Sequence, residues 1–176
     1  MSRKSNLRIA LIALIVLALD QLTKWAVVRF LPGLYDEKVV LPGFFKLVHW
    51  GNTGSAWSFF TGKNAILAMV AVVALVVLFF TRHHFDSDTR LGRFAFGLIF
   101  GGIVGNLIDR LLPARHHVID FLRFYLDQRG SGKEIGFPAF NVADSAICIG
   151  VGLIFLINLC INRTAEKPVE TAETIG

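Results

Sequence analysis

The chain is short of most of what soluble enzymes use to build a site. Its 176 residues include two cysteines, Cys148 and Cys160. On one helix their separation would be about 18 Å, far beyond the roughly 7 Å between Cα atoms that a disulfide tolerates. Neither has a histidine nearby in sequence, so both are expected to be buried, inert thiols. The histidines include two adjacent pairs, His83-His84 and His116-His117. Neighbours on a helix do not share a face, so this is not metal-ligand spacing, and neither a metal nor a cofactor is expected. No serine sits in a nucleophile elbow and no glycine-rich phosphate loop is present. The formal charge of +5 is spread over loops and tails without a dense Lys/Arg block, which argues against a nucleic-acid partner. Internal repeats and low-complexity tracts are absent.

What the chain has is apolar length. It is 54% hydrophobic with sixteen phenylalanines, and its mean hydropathy is +0.59, too apolar for a soluble domain of this size. Four stretches, about 9–28, 64–80, 94–112 and 142–161, approach the ~20 residues needed to cross a bilayer. Arg3, Lys4 and Arg8 precede the first one, as in a secretory signal. That run lacks a small-x-small cleavage site and is interrupted by Asp20 and Lys24, so it reads as a retained first span. Lys and Arg are denser in 1–8, 81–93 and 162–176 than in 29–63 and 109–140. Both termini are therefore expected in the cytoplasm. In the first outer loop, Val39-Val40-Leu41 and Phe44-Phe45-Lys46-Leu47-Val48 flank Pro42-Gly43 and read as two strands around a turn. Trp50, Trp57, Phe59 and Phe60 suit the headgroup level. The second outer loop, around 121–140, is expected to hold a short amphipathic helix. The fold class expected is an all-α membrane protein, a single domain of four transmembrane helices with a small extracytoplasmic β-sheet and a short extracytoplasmic helix. A disordered tail is expected from about residue 163.

Charged groups near hydrocarbon cost roughly 2.5–3.5 kcal/mol at a helix centre even on lenient scales, and mark function by default. Here they agree in depth. Asp20 and Lys24 lie late on the outward first span. Asn106, Asp109 and Arg110 occupy the last turns of the outward third, and Asn141 and Asp144 the first turn of the inward fourth. All fall at one membrane face, with Asp120 just beyond the third span. Each also has a plainer reading. Asp20 and Lys24, spaced i, i+4, neutralise each other as scaffold. Asn141 and Asp144 form a helix cap. Asp120 is a solvated loop carboxylate near Arg123, and Arg110 snorkels to the headgroups. Gly97, Gly101 and Gly105 form a helix-packing stripe.

Five short stretches, in order, carry a resemblance. They are Asp20-Gln21-Leu22-Thr23-Lys24, Asn52-Thr53-Gly54-Ser55-Ala56-Trp57, Gly101 to Arg110 (Gly-Gly-Ile-Val-Gly-Asn-Leu-Ile-Asp-Arg), Val118-Ile119-Asp120-Phe121 and Phe140-Asn141-Val142-Ala143-Asp144-Ser145. Together they resemble the lipoprotein signal peptidases (signal peptidase II, prolipoprotein signal peptidase) along nearly the whole membrane portion. The stretch from Asp120 to Asn141 departs from that pattern by its length, with 127–132 as an extra hairpin.

The resemblance implies an aspartic endopeptidase of the bacterial cytoplasmic (inner) membrane, with its site near the outer face. It would remove the signal peptide from a diacylglyceryl-modified prolipoprotein just before the lipidated cysteine. It implies Asp120 and Asp144 as catalytic, and Asn52, Gly54, Asn106, Arg110, Asn141 and Ala143 as substrate-binding. Asp20, Lys24 and Asp109 are expected to be structural polar groups. The expected partners are the lipidated substrate and membrane lipids, with the chain a monomer. Two other classes fit the sequence less well. An ion-coupled transporter needs polar groups through the full thickness, whereas the cytoplasmic halves of the spans are apolar. A non-catalytic assembly subunit has no need of two aspartates at one depth.

Overall fold

The computed structural model describes residues 3–54, 63–85, 87–113, 115–128 and 133–165. Trp57, Phe59, Phe60 and the tail beyond residue 165 lie outside them. The helices are α1 (Arg3–Phe30), α2 (Asn64–Thr81), α3 (Arg90–Leu111) and α4 (Val142–Ala165). All four are long and apolar enough to cross a membrane. The strands are β1 (Glu37–Leu41), β2 (Phe45–Asn52), β3 (Val118–Asp127) and β4 (Glu134–Gly136), in one antiparallel sheet of order β1-β2-β3-β4.

Local sequence explains the ends. The side chain of Thr89 accepts the N–H of Gly92 and caps α3. Leu112, held extended before Pro113, stops it. Gly43 takes φ +72° in the turn between β1 and β2, a conformation only glycine adopts freely.

The third helix is the hub. Phe96 and Ile99 are fully buried on it, while α2 buries only Ala68. The glycine stripe faces α1. A Cβ at Gly97 would lie 2.5 Å from Ile12 Cγ2, at Gly101 2.6 Å from the Ala13 carbonyl, and at Gly105 2.6 Å from Asp20 Oδ2. On the opposite side, a Cβ at Gly102 would meet the Ala143 carbonyl at 2.5 Å. Missing side chains therefore let α1 and α4 both approach α3 closely. Val16, Leu98 and Ala146 join the three helices, and Val27, Ile119 and Phe121 dock β3 on α1.

Three expectations need correction. The described part of the segment around 121–140 belongs to β3 and β4, not to an amphipathic helix. Its β-branched and aromatic residues favour a strand, and the edge of β2 supplies a partner, pairing Trp50 with Asp120 and Asn52 with Val118. With four strands the molecule is not simply all-α. The cysteines are not buried either: Cys148 and Cys160 are both exposed on α4. Apolar composition marks a face that meets lipid as readily as one that meets protein.

Candidate active site

Strand β3 carries Asp120 between two holders. On one side, pairing with β2 brings up Asn52, whose Nδ2 donates to Asp120 Oδ2 at 2.8 Å. On the other, the backbone of Leu122 exchanges hydrogen bonds with Phe140, at 2.9 and 3.1 Å. That contact delivers the next residue, Asn141, whose Nδ2 donates to Asp120 Oδ1 at 2.8 Å. Asn52 is itself fixed, since its Oδ1 accepts the N–H of Gly54 at 2.9 Å.

Asp144 is held by the start of α4. Asn141 Oδ1 accepts the Asp144 N–H at 2.9 Å, and Asp144 Oδ2 accepts the Asn141 N–H at 3.2 Å. This reciprocal pair is a capping box, as the cap reading expects. From α3, Asn106 Nδ2 donates to Asp144 Oδ1 at 2.8 Å. Asn141 therefore bonds both aspartates, one through its side chain and the other through its backbone.

The acids border a cavity of about 950 Å³, lined by Trp50, Asn52, Gly54, Arg110, Asp120 and Asp144 among others. Asp120 is 3% exposed, so the solvated-loop reading fails. Arg123 instead pairs with Glu134. Burial, with Asp144 adding to it, pushes the Asp120 carboxyl up to about 7, against the pull of Asn52, Lys24 and Asn141. Arg110 turns inward: its Nη2 donates to the Gly54 carbonyl at 3.2 Å and its Nη1 to the Asn106 carbonyl at 3.3 Å.

Asn141 and Ala143, expected at the substrate, are both fully buried, and neither is among the cavity-lining residues. Asn141 holds the acids. Ala143 packs under Gly102 and gives its N–H to Asp20. Asp20, Lys24 and Asp109 are fully buried behind the site. Two members of that cluster were not singled out from sequence. Gln21 donates to Asp20, Asp109 and the Gly105 carbonyl, and Arg115 binds Asp109 at 3.0 Å. Gln21 lies within Asp20-Gln21-Leu22-Thr23-Lys24; Arg115 carries no signal beyond its place in a short connection. Among the described residues, no cluster of three or more His, Cys, Asp or Glu is arranged to hold a metal ion.

The family described as signal peptidase (SPase) II matches residues 12–160. The lipoprotein signal peptidase of Geobacter metallireducens is 41% identical over 168 residues, 93% of this chain and 98% of its own length. That of Symbiobacterium thermophilum is 38% identical over 153 residues, 86% and 94% of the two chains. A bacterial membrane enzyme solved by the in meso method at 2.3 Å resolution superposes with a TM-score of 0.72, at 30% identity over 92% of each chain.

Proposed function

The chain belongs to the signal peptidase II family, and we propose that it is an aspartic endopeptidase of the bacterial cytoplasmic membrane. Its substrate is a diacylglyceryl-modified prolipoprotein, cut just before the lipidated cysteine. The observation that carries this reading is the bonding of Asp120 and Asp144 by one residue, Asn141, beside a cavity.

Burial and the neighbouring Asp144 favour the protonated form of Asp120. The raised Asp120 keeps its proton, and Asp144 is the base. Asp144 takes a proton from water as its oxygen attacks the scissile carbonyl carbon. Asp120 gives its proton to the carbonyl oxygen, yielding a neutral tetrahedral gem-diol. Asp144 then passes its proton to the leaving nitrogen, the C–N bond breaks, and Asp120 recovers a proton from the gem-diol. The products are the signal peptide's new carboxyl end and the amine of the lipidated cysteine. The scheme uses no covalent intermediate.

Asn52 and Arg110 line the cavity with polar hydrogens, which suits a substrate backbone that the bilayer leaves without partners. The lipid anchors the substrate in the outer leaflet, at about 0.8 kcal/mol per buried CH₂, and so brings the scissile bond to the depth of the two acids. Both termini are cytoplasmic in this reading, the acids face the outer side, and the enzyme works as a monomer. The test is cleavage by the purified chain in nanodiscs of two precursors that differ only in the diacylglyceryl group. The lipidated one should be cut and the other poorly; equal rates would remove the anchoring role.

A further inference from the structure

Lys24 takes no part in the chemistry above and does not reach the cavity, yet its ammonium joins α1 to α3. The side chain is fully buried, and its Nζ is 2.8 Å from Asp20 Oδ2, 2.8 Å from Asp109 Oδ2 and 3.1 Å from Asn106 Oδ1. Asp20 and Asn106 accept hydrogen bonds from the ammonium, and Asp109 faces it as an ion pair. Each of the three leads on to one of the two acids. Asp20 Oδ1 accepts the backbone N–H of Ala143 at 3.0 Å, one residue before Asp144. Asp109 Oδ2 also accepts the backbone N–H of Ile119, at a longer 3.4 Å, one residue before Asp120. Asn106 gives its Nδ2 to Asp144 itself. An ammonium only donates, so the Asn106 carbonyl must face Lys24, and the amide nitrogen is left for Asp144.

We propose that Lys24 is the positioning residue of the acid pair: by gripping Asp20, Asp109 and Asn106 together it sets the spacing of Asp120 and Asp144 and the direction of the amide beside them. This rests on the reading of Asp120 and Asp144 as the catalytic pair.

Simple charge neutralisation does not account for the arrangement. Arg115 already binds Asp109 Oδ1, so two cations face two carboxylates and the cluster is balanced. The bond of Lys24 to the neutral Asn106 pairs no charge; together with Asn141 Nδ2, which donates to the same Oδ1 at 3.2 Å, it fixes an orientation. Lys24 also lowers the proton affinity of Asp120, opposing burial and Asp144. The charged groups around Asp120 are thus Asp144 from α4, Lys24 from α1, and Arg110 and Asp109 from α3; β2 offers only the Asn52 amide.

Lys24→Met alone strands a buried carboxylate and invites misfolding. The informative variant is Asp20→Asn with Lys24→Met. It removes one charge of each sign, keeps an acceptor for the Ala143 N–H, and leaves the Asp109–Arg115 pair. Its kcat and KM are read with lipidated precursor, per folded molecule counted from the thermal unfolding transition. The expected result is a kcat lower by roughly 10- to 100-fold with KM within about two-fold, the pattern of misplaced reacting groups. The alkaline limb of the kcat–pH profile should also move to higher pH. A kcat within about two-fold of the parent, a loss carried by KM, or an unmoved limb overturns the proposal. Asp120→Asn is assayed in parallel. If it turns over, the catalytic pair itself is wrong. If it is inactive while the double variant turns over normally, only the role given to Lys24 falls.

Discussion

Two lysines in this molecule each join carboxylates from different elements, and their surroundings separate them. Lys24 and both of its aspartates are wholly shielded. Lys46 is nearly as buried, but its partners, Glu37 at 2.6 Å and Glu134 at 2.8 Å, are 37% and 34% exposed. Burial opposes the Lys46 ammonium, yet its hydrogen bonds to Glu134 and Glu37 outweigh that and raise its pKa. Its group ties β1, β2 and β4 together, with water free to take over any carboxylate it loses. Lys24 and its two aspartates are out of reach of bulk solvent. Removing one partner of a buried pair costs about 3–5 kcal/mol, whereas an exposed pair is worth about 0–1 kcal/mol. The same chemistry is therefore a fixed joint in one place and a minor trim in the other, and only the fixed joint leads to the acids.

The largest effect should come from the acids that the first joint serves. Asp120→Asn and Asp144→Asn should each lower kcat on lipidated precursor by at least about 100-fold, the low end of general acid–base catalysis. Both should still insert and show a cooperative melt. Parent-level turnover in either would leave the Lys24 cluster with nothing to position.

How this contrast is written in the sequence is uneven. The spans were legible because ~20 apolar residues have few other uses, and Pro42-Gly43 between β-formers announced the first hairpin. The agreement in depth of Asp20, Asn106, Asp109, Asn141 and Asp144 followed from counting along helices. Strand β3 from Phe121 onward fell inside the expected helix because Phe121-Leu122-Arg123-Phe124-Tyr125-Leu126 does not alternate; without alternation, a short apolar run has no decisive period. The exposure of Cys148 and Cys160 was missed because apolar sequence does not separate a lipid face from a core. Least legible was the joint itself. Spacing i, i+4 explains Lys24 with Asp20, but nothing local says that the same ammonium meets Asn106 and Asp109, more than 80 residues away.

The next effect tests whether close helix packing serves the acids as the ion cluster does. Gly102→Val would drive a Cβ to 2.5 Å from the Ala143 carbonyl and 2.7 Å from Ile147 Cγ1. Such overpacking costs about 1–3 kcal/mol and moves the first turn of α4, which holds Asp144. Both the melting temperature and kcat should fall. At Gly152, inside α4, where a Cβ would find nothing within 4 Å, alanine should leave kcat unchanged and should not lower the melting temperature. A Gly102→Val enzyme with parent kcat would mean that Asp144 is held by its hydrogen bonds alone.

Proton linkage gives a smaller but sharper contrast. Asp120 is raised from 3.8 to about 7. Between those values the unfolded chain has released a proton that the folded chain keeps, so this group makes stability fall as pH rises through that window. Turnover should fall above about pH 7, where Asp120 loses its proton. Asp120→Asn should flatten the stability–pH curve between about 4 and 7; an unchanged slope would mean that Asp120 titrates in the ordinary carboxylate range.

The smallest effect belongs to the second lysine. Lys46→Met keeps an apolar stem under Tyr125 and returns two partly exposed carboxylates to water, so it should cost about 1 kcal/mol or less and leave kcat within about two-fold of the parent. Its pH dependence has a definite sign. The hydrogen bond from Lys46, and behind it Arg123, hold Glu134 below its usual 4.5. That contribution is full above the unfolded value and is lost as pH falls through the folded one. The difference in melting temperature between parent and variant should thus be steady near neutrality and shrink below about pH 4. A Lys46→Met enzyme whose kcat fell as far as that expected when Lys24 is lost would erase the distinction: the sheet, and not only the buried cluster, would then be holding the acids in register.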